Sequence, residues 1–104
     1  MPGSLETVDM ASSGLKSGSL TMTGQVQQIE SGASIPCKRI RLMAPVSTAG
    51  TATNAAPIFF GFDSTNQKDW IAADGSRDTY LHVDNSKLLY LKGVGNDVIN
   101  YRVE

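Results

Sequence analysis

Residues 83–103 decide the fold: Val83-Asp84-Asn85-Ser86-Lys87-Leu88-Leu89-Tyr90-Leu91-Lys92-Gly93-Val94-Gly95-Asn96-Asp97-Val98-Ile99-Asn100-Tyr101-Arg102-Val103. The triplet Asp84-Asn85-Ser86 reads as a turn, because these short polar side chains bond nearby backbone amides. Residues 87–92 then read as a strand, 93–97 as a Gly-rich turn and 98–103 as a closing strand. Together they predict a hairpin, with Leu89 and Leu91 or Leu88 and Tyr90 packed inside beside Ile99 and Tyr101 or Val103.

Upstream, the same alternation recurs between Gly, Pro, Asn, Asp and Ser punctuation. Residues 57–62 are the most apolar strand, with Ile58, Phe60 and Phe62 on one face and Phe59 and Gly61 on the other, which predicts a central position. Residues 38–44 place Ile40 and Leu42 on one face and Arg39 and Arg41 on the opposite one. A short strand at 70–72 leads to the turn Asp74-Gly75-Ser76, followed by a strand at 79–83. Leu20, Met22, Gly24 and Val26 share one parity in a first strand. No stretch of ten or more residues has helical period and caps, although residues 5–10 have room for one helical turn. No repeat of 20–50 residues is present.

The expected fold is therefore all-β: a small antiparallel β-sandwich of about seven strands, jelly-roll-like or Ig-like, spanning residues 20–104. Residues 1–19 are expected to form an extended N-terminal arm, since Leu5, Val8, Met10 and Leu15 are isolated in a Ser/Gly/Thr-rich segment that buries too little to order itself. These four residues are candidate partner contacts.

A chain of 104 residues fits one domain. With hydrophobic residues at 40% and charged residues at 18%, it is neither a charged disordered polymer nor a membrane protein. Nine Lys+Arg against ten Asp+Glu give a net charge of -1, so no overall electrostatic drive toward nucleic acid or an anionic membrane exists. No apolar run approaches a bilayer span, and the N-terminus lacks a secretory pattern. The one cysteine, Cys37, cannot form an intramolecular disulfide and suits a reducing cytosol.

Catalysis needs a nucleophile, a base and a charge stabiliser, and the sequence supplies one His and one Cys with few plausible partners. His82 reads as an ordinary strand residue, and Cys37 as a small buried thiol. The aspartates at 63, 69, 74, 78, 84 and 97 read as turn formers. Residues 74–78 lack the ligand spacing of a calcium loop, and Gly93-Val94-Gly95 lacks the features of a phosphate cradle. No enzyme activity, cofactor or metal is expected. Lys38, Arg39 and Arg41 form the basic cluster; Arg39 and Arg41 are candidate contacts to a partner carboxylate, and nucleic acid is disfavoured because no stacking aromatics are interleaved. Trp70 with Tyr80 is a candidate aromatic platform for sugar, weighed against core or rim packing.

Four motifs carry a family resemblance: Pro36-Cys37-Lys38-Arg39-Ile40-Arg41-Leu42, Ile58-Phe59-Phe60-Gly61, the run from Val83 through Gly93, and Asp97-Val98-Ile99-Asn100-Tyr101. The series resembles small tailed-phage virion proteins, with a Pro-Cys-basic strand, an apolar strand ending in Gly, an Asp-rich turn leading into Lys-Leu-Tyr, and a short closing strand. The likeness excludes the arm, and the polar loop 47–56 and the connection 63–69 depart from the pattern. The resemblance implies a non-enzymatic capsid decoration or cement protein that binds a major capsid protein or other virion protein. It implies a location on the capsid surface after assembly in the host cytoplasm, with a dimer or trimer expected. Nucleic acid and membrane are not expected partners. The rival expectation is a receptor- or carbohydrate-binding module of a tail or fibre.

Overall fold

A computed structural model describes residues 16–76 and 79–104. Seven strands are formed among them: β1 (Lys16–Thr21), β2 (Ile40–Met43), β3 (Ile58–Gly61), β4 (Asp69–Ile71), β5 (Thr79–Leu81), β6 (Tyr90–Lys92) and β7 (Val98–Val103). They make two antiparallel sheets, one ordered β1-β7-β2-β5 and the other β4-β3-β6. The all-β reading holds, and β3 is central in its sheet as its composition required. Alternation explains the shared core: Ile40, Leu42, Ile99, Tyr101 and Val103 come from the first sheet, and Ile58, Phe60, Ile71, Leu89 and Leu91 come from the second or its flank.

Several boundaries differ from the sequence reading. The first strand is Lys16–Thr21 rather than a run through Val26, so residues 16–19 belong to a sheet. It is extended because it pairs with β7 from Lys16 opposite Val103 to Thr21 opposite Val98. Residues 5, 8, 10 and 15 lie outside the described residues.

The largest correction concerns the C-terminal hairpin. Leu89, Leu91, Ile99, Tyr101 and Val103 are all buried, as expected, but β6 and β7 lie in different sheets. Residues 93–97 form an arch across the core, not a hairpin turn. Glycine is required at its start, since a Cβ at Gly93 would stand 2.7 Å from Met22 Cγ and 3.0 Å from Ile58 Cγ1. Residues 87–89 also leave the expected strand. Asn85 Oδ1 accepts the Lys87 N–H and starts a 3-10 turn at Ser86–Leu88. The buried Ser86 hydroxyl donates to the Ala33 carbonyl and accepts from the Ile35 N–H, fixing this turn to residues 33–35.

Polar anchors also hold the loop at 47–56. Asn54 is buried and exchanges two 2.8 Å hydrogen bonds with the backbone of Val98. Asp97 is more than a local turn former: its carboxylate accepts the N–H groups of Ala55 and Ala56, at 2.9 and 3.1 Å. A loop of small residues is thus fastened to the start of β7.

The two sides of the sandwich are unlike. Beside β1 and β6, residues 22–28 close it: Met22 is buried, its N–H donates to the Asp97 carbonyl, and Gln27 makes a two-bond bridge with Leu91. On the opposite side, Leu81 of β5 and Asp69 of β4 line one open groove with Phe62. Phe62 was expected to share the inner face of β3, but it lies past the strand's end and is 56% exposed.

Candidate functional site

The first candidate surface is the outer face of the four-stranded sheet. Arg41 in β2 stands opposite Tyr80 in β5 and opposite Arg102 in β7. Arg39 is two residues earlier, on the same face. Both guanidinium groups cover the Tyr80 ring, at 5.0 Å for Arg39 and 5.4 Å for Arg41, within cation–π range. Glu104 bridges the far end, binding Arg39 Nε at 2.5 Å and Arg102 at 3.2 Å. The Arg39 bond, with Arg102 adding, holds the Glu104 carboxyl below its ordinary range. The sequence put Arg39 and Arg41 together correctly, but it missed Arg102 and assigned Tyr80 to Trp70 instead of to the arginines. Their parity within their strands was visible; the pairing that joins them was not.

The second surface is the outer face of the three-stranded sheet. Trp70, Phe59 and Lys92 form one cross-strand row, and Gly61 and Tyr90 form the next. Phe59 is 42% exposed and Trp70 is 41% exposed. Directly opposed aromatics on a pleated surface pack side by side and present a flat, rigid apolar area. The expected Trp70–Tyr80 platform does not form: the two residues belong to opposite outer faces, with the whole core between them. The neighbour of Trp70 is Phe59.

The third is a groove at the open side, lined by Cys37, Lys38, Phe62, His82, Val83, Asp84 and Leu88. It brings Cys37 and His82 together with an acidic residue, a juxtaposition that strand periodicity did not reveal. The Cys37 thiol donates to the Val83 carbonyl at 3.2 Å. Burial, and secondarily Asp84, pushes its pKa up. A thiol held protonated in this way is a poor nucleophile. Among the described residues, no three His, Cys, Asp or Glu side chains converge as a metal-holding group. No helix among them is long and apolar enough to cross a membrane.

A strained turn lies at residues 30–32. Glu30, Ser31 and Gly32 have φ of 50°, 56° and 81°, and two consecutive non-glycine residues in this region cost on the order of 1–3 kcal/mol each. The Glu30 carboxylate accepts the Tyr101 hydroxyl and pairs with Lys16 at 3.1 Å. These contacts tie the turn to β1 and β7. They lower the Glu30 pKa, the Tyr101 bond contributing most. Burial, followed by the Glu30 bond, pushes Tyr101 up to about 12.

Compared with family models, curated proteins and solved structures, the chain matches none.

Proposed function

We propose that this protein works by attachment, as a non-enzymatic decoration or cement protein bound to the outer surface of a tailed-phage head. The supporting observation is the exposed Trp70–Phe59–Lys92 row on the back of a core-forming sheet. Large apolar side chains grouped on a rigid face mark contact surfaces, and a particle lattice turns weak contacts into firm binding through effective concentration. Arg39 and Arg41 on the opposite face are suited to carboxylates of the same or a second virion protein. Assembly as a dimer or trimer belongs to this reading.

The test is sedimentation of the purified protein with empty capsids. The wild type is expected to co-sediment, and Phe59→Ser with Trp70→Ser is expected to raise the apparent Kd from a binding isotherm by about tenfold, a loss of about 1.4 kcal/mol. Equal binding by wild type and variant would remove the aromatic face from the reading, and absence of wild-type binding would remove the capsid. A sugar-binding module is the second reading, favoured by the same Trp70–Phe59 pair. Saturable quenching of Trp70 fluorescence by a soluble oligosaccharide, without capsid binding, would establish it instead.

A further inference from the structure

The outer face of the four-stranded sheet already carries a carboxylate. Ser17, Arg102, Arg41 and Tyr80 form one continuous row across β1, β7, β2 and β5. Arg41 and Arg102 are thus directly opposed, and like charges facing each other across a pleat repel, an arrangement that an anion relieves. The Tyr80 ring holds the Arg39 and Arg41 guanidinium groups at 5.0 and 5.4 Å from its centroid, so part of the rotamer freedom that a ligand would otherwise remove is already gone. Guanidinium groups held in place recognise planar carboxylates through paired N–H donors. Glu104 shows the mode: its Oε1 accepts from Arg39 Nε at 2.5 Å and its Oε2 from Arg102 at 3.2 Å.

The Glu104 side chain is free to give up that place. Its backbone is fastened separately: the Lys38 N–H donates to its carbonyl at 2.8 Å, and its own N–H donates to the Arg39 carbonyl at 2.9 Å. The side chain can therefore leave while the residue stays. Arg39 and Arg102 are 49% and 48% exposed, and an ion pair open to water contributes little to stability. Strand geometry sets the form of a replacement. Arg39 and Arg41 are two residues apart on one strand face, a repeat of about 6.6–6.8 Å, which is also the repeat of alternate side chains in an extended peptide. A Glu-x-Glu segment matches it. None of this chain's ten acidic residues lies two positions from another, so a second copy does not supply the pattern and the partner is a different protein.

We propose that this face binds an extended acidic segment of a partner protein, with carboxylates at alternate positions seated on Arg39 and Arg41 and the Glu104 side chain as the internal competitor they displace. Tyr80 acts as a positioning residue for the two arginines. The proposal deepens the carboxylate contact already assigned to this face and rests on that reading for the partner being a protein; the aromatic row on the other sheet takes no part in it.

Fluorescence anisotropy of the full chain with a labelled peptide of Glu-Thr repeats tests it. The comparisons are a peptide of equal charge with its glutamates three residues apart and a single-stranded oligonucleotide, all at one ionic strength. Wild type is expected to prefer the alternating peptide. Arg39→Gln with Arg41→Gln is expected to raise its Kd by at least about tenfold, and Arg39→Lys with Arg41→Lys, which keeps the charge but loses the fork, is expected to weaken it as well. Glu104→Gln is expected to lower the Kd for the alternating peptide by about threefold, and by less for the other. Circular dichroism checks that each variant is folded. Equal affinity for the two peptides, tighter binding of the oligonucleotide, or a Kd that Glu104→Gln leaves unchanged or raises would overturn the proposal. Capsid sedimentation keeps the two readings apart: a wild type that sediments with capsids yet fails the peptide tests overturns this proposal alone.

Discussion

Replacing Asn54 by Ala should reveal how much the 47–56 loop owes to one side chain. The Asn54 amide donates to the Val98 carbonyl and accepts the Val98 N–H, both at 2.8 Å, so it acts as one residue of an extra strand beside β7. Alanine removes both bonds and offers Val98 no substitute. Each neutral bond contributes about 0.5–1.5 kcal/mol net, and a buried backbone group left unpaired costs more. Val98 is half-buried, so water reaches part of what is lost, and a total near 2 kcal/mol is expected. For a domain of this size each kcal/mol corresponds to roughly 4–8 °C in Tm, giving a fall of roughly 8–16 °C. Thermal unfolding followed by circular dichroism measures it. Asn54→Asp, which keeps the acceptor but loses the donor, should fall at least as far. A decrease below roughly 3 °C in both variants would refute the anchoring role, since it would be smaller than one ordinary hydrogen bond.

Gly18→Ala should destabilise by about 1–3 kcal/mol, because the new methyl would stand 2.5 Å from Tyr101 Oη and 2.8 Å from Cζ; an unchanged urea midpoint would contradict that packing. Leu91→Asp should unfold the domain or cost several kcal/mol by burying an unpaired charge in the shared core, whereas the same change at the exposed Leu88 should be mild; circular dichroism separates them. Absorbance titration should show a tyrosine component near 12 that disappears in Tyr101→Phe; because this folded value lies above the ordinary 10.0, its stabilising effect is complete below pH 10 and declines as pH rises toward 12. Glu30 shifts the other way: its folded pKa is lowered from 4.5, so its contribution is present above that pH and is lost as pH falls through the folded value. The Tm advantage of wild type over Glu30→Gln should therefore shrink in acid, and a gap that widens there would reverse the assignment.

The architecture was legible wherever burial alternates. Ile40 and Leu42, Ile58 and Phe60, and Ile99 with Tyr101 and Val103 each show a period of two because one face of their sheet meets the core. Pairing was not legible, since a five-residue connection rich in Gly reads as a hairpin by local rules. What makes residues 93–97 an arch is the approach of Met22 and Ile58 to Gly93, contacts remote in sequence. β1 was hidden for a related reason: its Ser-Gly-Ser centre has little strand preference, and its extended form comes from pairing with β7. On the surfaces, the Arg39–Arg41 pairing followed from parity alone. Trp70 and Tyr80 could be associated or separated only by knowing which sheet each joins, so their neighbours, Phe59 for Trp70 and the two arginines Arg39 and Arg41 for Tyr80, were out of reach.

The pairing of β1 with β7 has a consequence for biosynthesis. Lys16 finds its partner at Val103, so the first described strand to leave the ribosome waits for the last. At about 5–20 residues per second, roughly 4–16 s separate their synthesis. β2 depends on the same strand through Ile40 and Val103. The four-stranded sheet therefore cannot join β1 to β2 until β7 emerges, and before then pairing can advance only in β3–β4, β2–β5 and β3–β6. Closing so long a loop favours slow, late completion over stepwise growth. A truncation that removes Val98–Val103 would leave β1, β2 and β5 without the strand that joins β1 to the rest of the sheet, exposing unpaired edges to proteases and to other nascent chains.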